Sequence, residues 1–226
     1  MTSRDRSAER ARAAQVTAKR RLAARIVIGV GAGVLALAAV YWWTGYGSQS
    51  TGGDPLAGHY PFQVGKPGPG AAAPPIRLPA THGGTFDLAS MRGQRVLLYF
   101  QEGIMCQPCW DQLKDIESHI EEFRALGVDS LASISTDPID ALKEKARIER
   151  LSTPLLSDPD LRVSRAYDAN SYGMMGKSRD GHTFILLDKD GTILWRADYG
   201  GAPKYTMHVP VRNLVADLRQ GLRKAP

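Results

Sequence analysis

The apolar and polar positions divide the chain into three textures. Ile26–Trp43, IVIGVGAGVLALAAVYWW, is an unbroken apolar run of eighteen residues. As a helix it extends about 27 Å at roughly 1.5 Å per residue. Residues 44–75 carry no apolar period and are dominated by Gly, Pro, Ser and Ala, the composition of a flexible tether. From Ile76 onward short apolar runs alternate with helical periods. Arg95–Phe100, RVLLYF, follows Gly93 and predicts a buried strand. In Cys106–Leu126, Trp110, Leu113, Ile116 or Ile120, and Phe123 share one helical face, with Gly127 as the stop.

The pattern continues to the carboxyl end. Val128–Ser135 predicts a second strand, and Asp137-Pro138 opens a helix through about Arg150, with the aspartate as cap. A short helical segment is expected around Leu161–Tyr167. His182–Asp188 and the TILWRA run at 192–197 form strands joined at an Asp190-Gly191 turn. Val211, Leu214, Val215, Leu218 and Leu222 set a final helix over Val209–Arg223. The order β-α-β-α-β-β-α predicts an α/β domain with a mixed central sheet and helices on both faces.

Charge changes the reading of the amino end. The formal net charge is +6, yet residues 1–25 hold eight Lys and Arg against Asp5 and Glu9. That tail accounts for the whole surplus, and the remainder balances. A protein without a basic surplus on its folded part is not expected to bind nucleic acid. A basic tail before an apolar run, with Tyr41-Trp42-Trp43 as an interfacial belt, predicts a single N-terminal transmembrane helix with the tail in the cytoplasm. A cleaved signal peptide is the rival, because Ala36-Leu37-Ala38 has the A-x-A form, although it lies inside the apolar run. The expected organisation is a basic cytoplasmic tail (1–25), a bilayer anchor (26–43), a flexible linker (44–71) and an extracytoplasmic domain (72–226) on a single-pass cell-membrane protein.

The chemistry concentrates in Phe100–Leu113, FQEGIMCQPCWDQL, which holds the only two cysteines in the chain, Cys106 and Cys109. They stand where a strand gives way to a helix, so the orphan amides of the first turn favour a thiolate there. A redox couple, a permanent staple and a metal site compete for the pair. A bridge closing so short a loop restricts the unfolded chain little, and a structural zinc site needs four ligands where no second pair exists. The expectation is a redox couple.

Several stretches resemble the peroxiredoxin branch of the thioredoxin fold, the alkyl hydroperoxide reductase/thiol-specific antioxidant family. "IRLPATHGGTFDLASMRGQRVLLYF" is similar to that family's amino-terminal hairpin and first core strand, and "VDSLASISTDP" to its second. "TPLLSDPDLRVSRAYD" and "HTFILLDKDGTI" resemble later blocks, in family order over roughly residues 72–200. The resemblance implies a thioredoxin-like fold and an antioxidant thiol oxidoreductase with no resident cofactor. It departs from the family loop Pro-x-x-x-Thr/Ser-x-x-Cys. With Cys109 on the peroxide-attacking cysteine, Cys106 falls on the Thr and Glu102 on the Pro. Arg179 is the nearest match to the family's arginine. A thioredoxin-type reductase carries a cis-proline at about His182.

Two roles for the pair stay open. In disulfide exchange Cys106 attacks a protein disulfide and Cys109 resolves the mixed disulfide. In peroxide reduction Cys109 becomes a sulfenic acid that Cys106 condenses with. The electron donor is unspecified. The alternative of another class is a copper-binding assembly factor. A copper-delivering branch of this fold uses two cysteines and a distant histidine, and Cys106, Cys109 and His182 form a soft set suited to Cu(I).

Overall fold

The computed structural model describes residues 54–224. Its elements run β1 (Arg77–Pro79), β2 (Thr85–Asp87), β3 (Val96–Phe100), α1 (Gln107–Ser118), α2 (Ile120–Arg124), β4 (Ser130–Ser135), α3 (Ile139–Glu149), β5 (Leu155–Ser157), α4 (Arg162–Ala166), β6 (Thr183–Leu187), β7 (Ile193–Asp198) and α5 (Val211–Lys224). A five-stranded sheet has the order β5-β4-β3-β6-β7, and β1 and β2 form a separate antiparallel hairpin. β3 pairs parallel with β4 and antiparallel with β6. The sheet is therefore mixed, as the element order predicts. The tail (1–25) and the expected anchor (26–43) lie outside the described residues. Among those described, no helix is long and apolar enough to cross a membrane.

β3 is buried at all five positions, and the pleat sends alternate side chains to opposite faces. Leu97 and Tyr99 join Trp110, Leu113 and Ile116 of α1, Phe123 of α2, Leu142 of α3 and Leu214 of α5. Val96, Leu98 and Phe100 join Ile76 and Leu78 of the hairpin region, with Val163 and Tyr167. One face thus carries four helices, and the other carries α4 and the hairpin. β3 delivers the chain to the loop before α1 from the centre of both cores.

Three expectations need correction. The helix over Cys106–Leu126 breaks at His119, whose φ of −119° and ψ of 23° leave the helical region. Its Nδ1 lies 2.8 Å from the Asp115 carbonyl and 2.9 Å from Ser118 Oγ. Asp137 does not cap α3, because Pro138 occupies the cap and the Asp137 carboxylate turns inward. Finally, residues 54–71, expected within the flexible linker, lie against the domain as a strap. Phe62 meets Trp195 and Tyr199 edge-on, and Gln63 pairs with Asp198 through backbone bonds. Asp54 pairs with Arg219 at 2.6 Å.

A buried ion pair holds that strap. Arg196 and Asp198, two residues apart on β7, are both fully buried. The guanidinium grips both carboxylate oxygens at 2.8 and 2.9 Å, the bidentate geometry that favours arginine. Arg196 also donates to the carbonyls of Pro67 and Tyr167. Asp198 accepts from Gly65 N–H and Thr183 Oγ1. Every lone pair that desolvation would penalise is thereby engaged.

Candidate active site

Cys106 caps α1, with Gln107, Pro108 and Cys109 forming its first turn. Pro108 belongs there because its missing N–H belongs to the orphan set of a helix start. The two sulfurs are joined at 2.10 Å with Cα atoms 5.3 Å apart. The pair sits at the carboxyl end of β3, beyond the loop from Gln101 to Met105. Cys106 is 6% exposed and Cys109 is 0% exposed, so the first sulfur lies nearer solvent but is itself buried. Met207 packs with the pair, and the three residues form a cluster apart from the main cores.

The loop before the pair is braced by groups whose part is not legible in the sequence. Gly103 adopts φ +91°, and a Cβ there would collide with the Asp137 carboxylate. Asp137 accepts from Ile104 N–H at 2.8 Å and from Ser135 Oγ at 3.2 Å. Arg179 pairs with Asp137 at 2.7 Å and donates to the Glu102 carbonyl at 3.1 Å. The arginine singled out by resemblance therefore supports the approach to Cys106. Glu102 is buried, and its Oε1 accepts from Met174 N–H. Beside this group Asp180 is fully buried with both oxygens unpartnered. Burial pushes its carboxyl well above the usual range.

Behind Cys109 lies a network centred on His182. The histidine is fully buried; Nδ1 lies 2.9 Å from Tyr99 Oη and Nε2 lies 3.2 Å from Gln112 Oε1. Gln112 Oε1 also accepts from Val209 N–H at 2.6 Å. A backbone N–H can only donate, so that bond fixes which end of the amide faces His182. Nε2 accordingly carries the hydrogen, and Nδ1 accepts from the Tyr99 hydroxyl. The same hydroxyl oxygen lies 3.3 Å from the Cys109 carbonyl. Burial pushes the His182 pKa down to about 3, with His208 adding to the shift. The imidazole is neutral at any physiological pH. Burial likewise holds the Tyr99 phenol well above its ordinary pKa, and Glu102 reinforces it.

The copper reading finds no support in this arrangement. Both ring nitrogens of His182 are engaged by Tyr99 and Gln112, and both cysteines are engaged by each other. The Cys106, Cys109 and His182 set is therefore not presented as a ligand site. Among the described residues no group of three or more His, Cys, Asp or Glu is placed to hold a metal. His182 stands immediately before β6 where a cis-proline was sought, and the cis peptides lie elsewhere, at Lys66-Pro67 and Ala202-Pro203.

Comparison with known proteins agrees with this geometry. Residues 69–196 match the AhpC/TSA family. Peroxiredoxin Bcp of Escherichia coli K12 is 36% identical over 127 residues, spanning 55% of this chain and 81% of that protein. Peroxiredoxin Bcp of Bacillus subtilis 168 is 27% identical over 135 residues, 56% of this chain and 83% of its own length. The crystal structure of peroxidoxin BcpB from Mycobacterium tuberculosis superposes with a TM-score of 0.56 at 24% identity. It covers 67% of this chain and 96% of its own. The family match stops at Arg196, so Met207, Val209 and α5 lie beyond it. The chain belongs to the AhpC/TSA family, as a thiol-dependent oxidoreductase of thioredoxin-like fold.

Proposed function

We propose that the protein is a membrane-anchored, extracytoplasmic thiol peroxidase that cycles Cys106 and Cys109 between dithiol and disulfide. The observation that carries this reading is the Cys106–Cys109 disulfide at the amino end of α1 in an AhpC/TSA domain. The amides and dipole of that helix end favour the thiolate in the reduced protein. The Cys109 thiolate attacks the terminal oxygen of a hydroperoxide. The O–O bond breaks, the alkoxide leaves and takes a proton, and Cys109 becomes a sulfenic acid. Cys106 sulfur then attacks Cys109 sulfur, forming the disulfide and releasing water. An external dithiol returns two electrons and two protons.

A second reading is exchange with protein disulfides, begun by Cys106. It is favoured by Cys106 being the less buried sulfur and by Cys-Gln-Pro-Cys lying where the family loop has a threonine. Turnover separates the two. Full-length protein is supplied with dithiothreitol and either tert-butyl hydroperoxide or insulin disulfides. The peroxidase reading expects hydroperoxide consumption lost in Cys109→Ser. Insulin reduction without hydroperoxide consumption would replace it with the exchange reading. Location outside the cytoplasm rests on the basic residues of 1–25 followed by the apolar run 26–43.

A further inference from the structure

The stretch between β7 and α5 lies outside the family match and packs on the redox pair through Met207. Its ends are tied down. Gln63 Nε2 donates to the Ala202 carbonyl at 2.9 Å, and Thr206 N–H donates to the Tyr199 carbonyl at 3.1 Å. Val209 N–H donates to Gln112 Oε1, and His208 Nε2 pairs with Asp115 Oδ2 at 2.8 Å. Gln112 and Asp115 follow Cys109 at successive three-residue steps on α1, so the stretch is moored to the helix that carries the pair. Between these moorings Met207, 7% exposed, packs in one buried cluster with Cys106 and Cys109. Tyr205, two residues earlier, is held at φ +47° and is 43% exposed. A bulky aromatic residue in the left-handed region is strained.

We propose that residues 201–209 form a cap over the redox pair and that Met207 is a specificity-determining residue. Seated, it admits a small thiol or hydroperoxide and excludes a folded protein until the cap swings away. The inference rests on the reading that the pair turns over, and it adds which reductants reach it. In the reductive step a partner thiolate must approach Cys106 sulfur along the S–S axis. A bond forms to Cys106, the S–S bond breaks, and Cys109 leaves as a thiolate that takes up a proton. The second partner thiol then releases Cys106. A small dithiol can enter beside an unbranched, flexible methionine. A folded dithiol protein needs open surface around Cys106, so its rate follows the population of the open cap.

The test is the rate at which the disulfide of full-length protein is reduced by dithiothreitol and by a reduced thioredoxin. Wild type, Met207→Ala, Met207→Leu and His208→Ala are compared, with progress read by alkylation and mass spectrometry. Met207→Ala is expected to speed reduction by thioredoxin about tenfold, with the dithiothreitol rate changed less than about twofold. Met207→Leu, which refills the seat, stays near wild type. His208→Ala removes a surface mooring outside the core and shifts the same ratio upward by about threefold, a scale suited to an exposed pair. The inference is overturned if both rates move in proportion, or if neither moves, in Met207→Ala and His208→Ala alike. A disulfide that dithiothreitol fails to reduce in wild type and variants alike would instead refute the redox cycle itself, and the cap proposal with it.

Discussion

His182 shows how one buried side chain sets a pH limit on this domain. Its pKa is pushed down to about 3 from 6.5, first by burial. Between those values the unfolded chain takes up a proton that the folded protein refuses. Stability is therefore full above about pH 6.5 and lost progressively as pH falls toward 3. The loss at pH 5 is about 2 kcal/mol. Urea unfolding of wild type and His182→Gln at pH 7 and pH 5 checks this. The wild type should lose about 2 kcal/mol more than the variant over that interval; equal losses would show that the ring titrates normally in the fold. The residue was noticed in the sequence for a different reason, as a ligand or a cis-proline substitute. Nothing in a period-2 strand pattern reveals that a histidine at a strand's start points inward onto Tyr99 and Gln112.

At the scale of elements, the strap before β1 and the segment after β7 both depend on contacts from distant parts of the chain. Asp198→Asn leaves Arg196 buried without its counter-charge and releases Gly65, so it should destabilise the domain by about 3–5 kcal/mol. Thermal or denaturant unfolding measures this, and a loss under about 1 kcal/mol would contradict the described role. β3, β4, β6, β7 and the last helix were legible because each carries enough apolar side chains to declare its period, whereas the three-residue β5 was not. Val96–Phe100 and the Leu214–Leu218 face are the clearest cases. The strap was not legible: Tyr60 and Phe62 are its few anchors among Gly and Pro, and its remaining bonds run to residues far along the chain, Asp198, Asp217 and Arg219 among them. Asp137 misled for a related reason. Asp before Pro is a good cap signature, but Ile104 N–H and Arg179 draw its carboxylate inward. The disulfide's place at a strand-to-helix junction was legible, since the two cysteines bracket the change of period. The roles of Met207, Gln112 and Tyr99 were not, because each is an ordinary core residue until the fold places it beside the pair.

At the scale of the whole molecule, the domain and its proposed anchor make separate claims. A basic tail followed by eighteen apolar residues predicts that the full-length protein stays with membranes after a carbonate wash. Protease added outside intact spheroplasts should digest the redox domain. Recovery of the intact chain in the soluble fraction would refute the anchor while leaving the family and the site untouched.

The central claim is that Cys109 is the sulfur that meets the oxidant and Cys106 the one that resolves it. Trapping tests it most directly. Reduced full-length Cys106→Ser is mixed with hydroperoxide in the presence of dimedone, and the adduct is located by mass spectrometry of peptides. Rapid formation of a sulfenic acid adduct on Cys109 is expected, and none in wild type, where Cys106 condenses first. No adduct on Cys109 in Cys106→Ser, with rapid adduct formation on Cys106 in Cys109→Ser, would contradict it.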